Sequence, residues 1–154
     1  MGTTLFPDSM LGAPLGALHT DVLLVEDDDL VRYGLKRLLA TDGRVCVALA
    51  SAEEAQQLLV LHEPALVVTD FNLSGRWSGI DLLTWMWRSP RLRHVPMLLM
   101  TGADPAKVRP LLDAVGLGHV GILAKPFEGS ELRKTLAQLA AARAIHRAGR
   151  GQEP

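Results

Sequence analysis

The sequence has a single cysteine, Cys46, and aromatic residues make up only 5% of its 154 residues. Cys46 lies in an apolar stretch, and a lone cysteine, which cannot form an internal disulfide, suggests a reducing compartment. No lysine or arginine precedes Arg32, so a secretory signal is not expected. No apolar run approaches the roughly 18 residues that a membrane-spanning helix needs. These absences predict a cytoplasmic protein without a membrane segment.

The chain also lacks a strong charge of either sign, because its formal net charge is −1. There is therefore no bulk electrostatic attraction to nucleic acid or to an anionic membrane, and we expect neither as a direct partner. The length and the hydrophobic content of 48% suit one domain with a proper core. We expect an N-terminal arm over residues 1–19, a domain over residues 20–142 and a C-terminal tail over residues 143–154.

Five short apolar runs alternate with segments of helical periodicity. The runs occupy residues 22–25, 45–49, 65–69, 95–100 and 120–124. A continuous apolar run bounded by turn residues is typical of a strand buried on both faces of a parallel sheet. Helical segments follow the five runs. This alternation predicts an α/β fold with a doubly wound, five-stranded parallel sheet and right-handed crossovers.

Several residues mark where the helices begin. Asp28 or Asp29 is placed to cap the first helix, and the Ser51 to Glu54 segment resembles a capping box for the second. Pro110 removes a backbone donor from the fourth helix, which we expect to be short or kinked.

Polar side chains follow four of the five runs, at the same end of each. Glu26 and Asp27 follow the first run, Asp70 the third, Thr101 the fourth and Lys125 the fifth. Each alone has a plain structural interpretation as a cap, a turn residue or a solvated charge. In a sheet of order 2-1-3-4-5, however, strands 1, 3, 4 and 5 are neighbours, so these side chains would converge on one crevice.

With these motifs the sequence resembles the receiver, or phosphoacceptor, domain of two-component response regulators. The resemblance spans roughly residues 20–142, and its motifs are LVEDD, VVTDFNL, LMTG and LAKPF. It implies the flavodoxin-like (βα)5 fold of that order. It also implies a signalling domain that catalyses at most its own phosphorylation and dephosphorylation, rather than an enzyme.

Carried over residue by residue, the resemblance implies that Asp70 accepts a phosphoryl group from a histidine kinase or a histidine phosphotransfer protein. It implies a Mg²⁺ site formed by Glu26, Asp27, Asp70 and the main-chain carbonyl of Asn72. Phosphoryl transfer depends mainly on positioning and on neutralising charge, and Mg²⁺ prefers carboxylates, water and phosphate oxygens.

The resemblance further implies that Thr101 and Lys125 contact the phosphoryl oxygens. The Thr101 hydroxyl would move towards the phosphoryl group and trigger the conformational switch. The Lys125–Pro126 peptide bond matches a position where receivers carry a cis peptide. Asn72 and Ala103, beside the site, would influence the lifetime of the phosphoryl group.

The chain departs from many receivers in the loop after Asp70. Ser74 stands where many receivers have proline, and the loop is one residue longer before Gly79. We expect this loop to be more flexible. Arg76 and Trp77 either reach over the phosphorylation site, or Trp77 covers the end of the third helix.

A second departure is Ile122, which stands where many receivers place a tyrosine or phenylalanine that reports phosphorylation. We therefore hypothesise that output does not use the common face of the fourth helix, fifth strand and fifth helix. The apolar stripe of the fifth helix leaves two interpretations open, a homodimer interface or ordinary core.

Three alternatives to a stand-alone receiver remain at this stage. The chain could be a receiver fragment of a longer regulator or hybrid kinase. A Mg²⁺-dependent phosphatase with an aspartate nucleophile, of the haloacid-dehalogenase type, is disfavoured because Asn72 stands where that type has a second aspartate. A receiver-shaped binding module that is never phosphorylated is disfavoured because all site residues are present. A dinucleotide-binding fold is excluded because no Gly-x-Gly-x-x-Gly follows the first strand.

Overall fold

A computed structural model describes residues 19–150, so the predicted arm up to residue 18 and the last four residues lie outside the described part of the chain. Five strands and five helices alternate. The strands are β1 (Val22–Val25), β2 (Cys46–Leu49), β3 (Leu66–Asp70), β4 (Met97–Thr101) and β5 (Gly121–Ala124). The helices are α1 (Asp29–Thr41), α2 (Ala52–Leu61), α3 (Gly79–Arg88), α4 (Pro105–Ala114) and α5 (Gly129–Arg150).

The strands form one parallel sheet in the order β2-β1-β3-β4-β5, which confirms the predicted topology. All residues of β1, β3 and β4 are buried, as expected for central strands covered on both faces. Two apolar cores result, one on each face of the sheet. None of the described helices is long and apolar enough to cross a membrane.

The helix starts agree with the sequence fully at α1 and in part at α2. Asp28 caps α1 by accepting a hydrogen bond from the Val31 main-chain N–H at 2.9 Å. Ser51 caps α2, but the Glu54 carboxylate accepts from Ala50 N–H and not from Ser51, so the expected reciprocal box is only half formed.

A reciprocal capping box occurs instead at α3, where Ser78 and Asp81 each accept a hydrogen bond from the other's main-chain N–H. Helix α4 continues through Pro110 for 10 residues, because the proline removes one donor without stopping the helix. It is therefore no shorter than α2 or α3.

Helix α5 continues past residue 142 without a break. Arg143 donates to the main-chain carbonyl of Ala65 at 2.8 Å and pairs with Glu63 at 3.0 Å. Its side chain is only 14% exposed. Helix α5 therefore still packs against the start of β3 at a position that we had assigned to the tail.

Candidate phosphoryl-acceptor and metal site

The sheet register brings the polar residues of the strand ends to one edge. Val25 of β1 is aligned with Thr69 of β3, so Glu26 and Asp70 follow side by side. Thr101 is aligned with Ala124, so Lys125 emerges next to the end of β4. The Lys125 main-chain N–H also donates to the Thr101 carbonyl at 2.7 Å. Asp70 and Thr101 are the last residues of their strands, so each strand extends one position beyond the end predicted from hydropathy.

Three carboxylates form the centre of this edge. Each of Glu26, Asp27 and Asp70 offers an oxygen atom, and these oxygens lie within 4.8 Å of one another. The Lys125 ammonium lies between two of these residues, 3.0 Å from Glu26 Oε2 and 3.3 Å from Asp70 Oδ1. Sequence reasoning had predicted that these four side chains would share one crevice, and the structure brings them together.

Burial and mutual repulsion shape the protonation of these groups. Glu26 is 2% exposed and Asp70 is 8% exposed. Desolvation raises the pKa of Glu26 and of Asp70. The charge of Asp70 raises the pKa of Glu26 further, and the charge of Asp27 raises that of Asp70, while Lys125 acts in the opposite direction on both. For Lys125, desolvation lowers the pKa, but the hydrogen bond to Glu26 and the charge of Asp70 outweigh it, so the pKa is raised. The single positive charge of Lys125 therefore does not balance the negative charge of the three carboxylates.

This donor set fits a small hard cation. Oxygen ligands around Mg²⁺ lie about 2.1 Å from the ion, and hence about 3 to 4 Å from one another. Carboxylate oxygens that start within 4.8 Å of each other need only small side-chain adjustments to reach that spacing. Glu26, Asp27 and Asp70 are thus able to hold a metal.

Main-chain contacts hold the acids in place. Arg32 of α1 donates to the carbonyl of Glu26 at 2.9 Å. Asp28 N–H donates to the Glu26 carboxylate at 3.3 Å, and Ser74 N–H donates to Asp27 Oδ2 at 2.9 Å.

Thr101 is fully buried, and its hydroxyl accepts a hydrogen bond from Ala103 N–H at 3.0 Å. The hydroxyl proton is not used in that bond and can be donated to another acceptor. Asn72 lies exposed two residues beyond Asp70. The Lys125–Pro126 peptide bond is cis, the conformation that the resemblance implied.

Trp77 packs on α3. Its ring centroid lies 6.3 Å from that of Trp85, with the planes tilted by 60°. Arg76 and Trp77 both line a shallow groove along α3. This arrangement supports the second interpretation of Trp77, as a cover for that helix. Trp87, two residues beyond Trp85 and hence on the opposite side of α3, is 36% exposed.

Sequence reasoning missed two residues that shape the site. Gly79 is the first residue of α3, and an added Cβ there would lie 2.1 Å from the Asp70 carbonyl oxygen. Glu53 of α2 accepts hydrogen bonds from the main chain at Arg76 and Trp77. The glycine at the helix start was a visible signal, whereas Glu53 looked like an ordinary first-turn acid.

Comparison with known proteins gives a consistent result. A family model described as "Response regulator receiver domain" matches residues 22–137. The chain is 32% identical over 120 residues to the chemotaxis protein CheY of Pseudomonas aeruginosa, covering 77% of this chain and 94% of CheY. It is 37% identical over 117 residues to the response regulator protein FleR of the same organism, covering 76% of this chain but 24% of FleR.

Among solved structures, the chemotaxis response regulator CheY4 of Vibrio cholerae superposes with a TM-score of 0.71 at 23% identity. The match covers 79% of this chain and 99% of CheY4. At that identity the similarity shows the fold alone, and it agrees with the strand order described above.

Proposed function

The chain belongs to the response regulator receiver domain family, and we propose on that basis that Asp70 accepts a phosphoryl group from a histidine kinase or a histidine phosphotransfer protein. The protein then acts as a phosphorelay intermediate or as a protein-interaction switch. The observation that supports this most strongly is the position of Asp70 beside two further carboxylates and one lysine at the carboxyl edge of the sheet.

In the proposed reaction a carboxylate oxygen of Asp70 attacks the phosphorus of a phosphohistidine. The new O–P bond forms as the P–N bond breaks. The electron pair of the broken P–N bond stays on the imidazole nitrogen, which takes a proton from water. Lys125 offers a positive charge next to Asp70 and can follow the negative charge onto the phosphoryl oxygens. The Thr101 hydroxyl can donate its free proton to the same group while it still accepts from Ala103.

Mg²⁺ is the proposed cofactor, held by Glu26, Asp27, Asp70 and the main-chain carbonyl of Asn72. When bound, such an ion neutralises the acids and polarises the phosphoryl group. Without added charge, three acids and one lysine leave the site net negative, which would repel a phosphoryl donor. A bound divalent cation would neutralise this excess negative charge.

The share of each relative that the chain spans bears on whether it acts as a single-domain regulator. The chain spans nearly all of CheY but about a quarter of FleR, which is a longer response regulator. We propose that it works as a single-domain regulator, with residues 20–142 as the receiver. The alternative is a receiver piece of a longer regulator or hybrid kinase. We also place it in the cytoplasm, where a buried, reduced Cys46 is expected.

Phosphorylation with a small donor tests the proposal. The protein is incubated with acetyl phosphate and Mg²⁺, and phosphoryl incorporation is measured by intact-mass spectrometry. We expect incorporation in the wild type and in Asp113→Asn, a matched control on α4, and none in Asp70→Asn or in the presence of EDTA. Equal incorporation in Asp70→Asn, or none in the wild type, would contradict the proposal.

A further inference from the structure

The loop that follows Asp70 is anchored from outside the phosphorylation site. We define the phosphoacceptor loop as residues 71–78. One carboxylate oxygen, Glu53 Oε1 of α2, accepts hydrogen bonds from Arg76 N–H at 2.9 Å and from Trp77 N–H at 3.0 Å. Hydrogen bonds from main-chain N–H groups to an ionised carboxylate are stronger than those between neutral groups. Glu53 therefore holds two consecutive residues of a loop that is distant in sequence.

Glu53 is suited to this role by its own position. It lies in the first turn of α2, where free N–H groups favour a negative charge. Hydrogen bonds from its own main chain, then from Trp77 and Arg76, lower the pKa of its carboxyl. The carboxylate is therefore ionised at neutral pH, and its partners are donors.

The loop is shaped to fit around this carboxylate. Gly75 has a φ of +119°, a conformation that side chains disfavour. A Cβ at Gly75 would lie 3.2 Å from Glu53 Oε2. The bare Cα thus allows the chain to turn closely past the carboxylate before Arg76 and Trp77 donate to it.

The other side of the same turn reaches the metal site. Ser74, next to Gly75, donates its N–H to Asp27 Oδ2 at 2.9 Å. The phosphoacceptor loop therefore connects Glu53 to a carboxylate of the acidic cluster. It also includes Asn72, whose carbonyl is a proposed ligand.

We propose that Glu53 is a positioning residue for the cation site: by fixing the phosphoacceptor loop it holds the Ser74 N–H against Asp27 and keeps the Asn72 carbonyl at the site. This inference rests on the proposed function and adds a control point outside the motif residues. Loss of Glu53 removes two hydrogen bonds from the phosphoacceptor loop. Cation binding must then also order the loop, and this entropic cost lowers the cation affinity.

The test compares two adjacent glutamates of α2. Glu53→Ala removes the anchor, whereas Glu54→Ala removes a contact to Ala50 N–H that does not involve the loop. Mg²⁺ binding is followed by tryptophan fluorescence, and Mn²⁺ binding by electron paramagnetic resonance of the free ion. Loss of a residue that hydrogen-bonds a metal ligand typically lowers metal affinity about 10- to 100-fold. Because Glu53 contacts the loop and not a proposed ligand itself, we expect a smaller effect, with Glu53→Ala raising the Kd about 3- to 10-fold. Glu54→Ala should stay within about twofold of the wild type, in keeping with the local role of its contact.

Two further variants separate positioning from simple stability. Glu53→Gln keeps an acceptor oxygen and should recover most of the affinity. Gly75→Ala forces a Cβ against the carboxylate and should weaken binding as Glu53→Ala does. These two variants also carry the test if Glu53→Ala fails to fold. Thermal unfolding is recorded for all of them.

Two results would overturn the inference: equal cation affinity in Glu53→Ala and Glu54→Ala, or Glu53→Ala lowering the melting temperature while leaving the Kd unchanged. Failure of the proposed function looks different, because the wild type itself would then bind neither cation at the acidic cluster.

Discussion

Replacing Gly79 by alanine tests how closely the start of α3 packs against the end of β3. An ideal Cβ at Gly79 would lie 2.1 Å from the Asp70 carbonyl oxygen and 3.1 Å from Leu99 Cδ1. Real Cβ atoms essentially never approach another heavy atom closer than 3.0 Å. The Gly79 backbone must therefore move away from the Asp70 carbonyl oxygen by about 1 Å, the difference between 2.1 Å and 3.0 Å. The buried Leu99 side chain restricts this movement. The Gly79 N–H bond to the Phe71 carbonyl, at 3.1 Å, would be stretched as well.

Overpacking of a core typically costs about 1 to 3 kcal/mol, and here the obstacle is backbone, so we expect Gly79→Ala to lower the free energy of unfolding by about 2 to 4 kcal/mol. For a domain of this size that corresponds to a drop in melting temperature of about 6 to 15 °C. Urea unfolding followed by circular dichroism measures the first quantity, and a thermal scan measures the second.

Gly34→Ala is the matched control, because Gly34 lies inside α1 and a Cβ there meets nothing within 4 Å. Alanine is the better helix former, so this variant should gain about 0.5 to 1 kcal/mol. The same chemical change is thus expected to have opposite signs at the two glycines. A Gly79→Ala protein as stable as the wild type would refute the close approach on which this reasoning depends.

Three further predictions follow from the contacts. Burial raises the pKa of the Cys46 thiol to about 11, so alkylation in the native state should be negligible at neutral pH and rapid in urea; fast native labelling would contradict this burial. Lys125→Met removes the cation shared by Glu26 and Asp70, so Mg²⁺ should raise the melting temperature of this variant more than that of the wild type; equal shifts would show that the lysine does not balance the acids. Arg143→Ala should lower the free energy of unfolding by about 1 to 2 kcal/mol, because it leaves main-chain carbonyls before β3 without their charged donor; an unchanged urea midpoint would place that part of α5 outside the domain.

Local pattern was enough to predict the strands of a parallel sheet, and the resemblance supplied their order. The strands β1, β3 and β4 are buried on both faces, so their apolar runs are continuous and can be recognised in the sequence. Because parallel strands end at one edge, the residue after each run could be assigned to a common crevice without knowing any distance. Asp70 and Lys125 were therefore predictable as neighbours, although 54 positions separate them in the sequence.

Contacts between side chains and distant main chain were not predictable in this way. Glu53 and Glu54 are chemically identical neighbours, yet one binds the phosphoacceptor loop and the other binds Ala50. Spacing assigned Glu54 to the start of α2, but nothing in the sequence identified the partners of Glu53, because they depend on how the loop between β3 and α3 passes over α2. Arg143 has the same property, since its acceptors are carbonyl groups that only tertiary packing brings within reach.

The central claim is that Asp70 carries the phosphoryl group. Its most direct test is chemical trapping: the protein phosphorylated with acetyl phosphate and Mg²⁺ is reduced with borohydride, which converts an aspartyl phosphate to homoserine, and the peptides are sequenced by mass spectrometry. We predict homoserine at position 70 and unmodified Asp27. Homoserine at another aspartate, with Asp70 unmodified, would contradict the account.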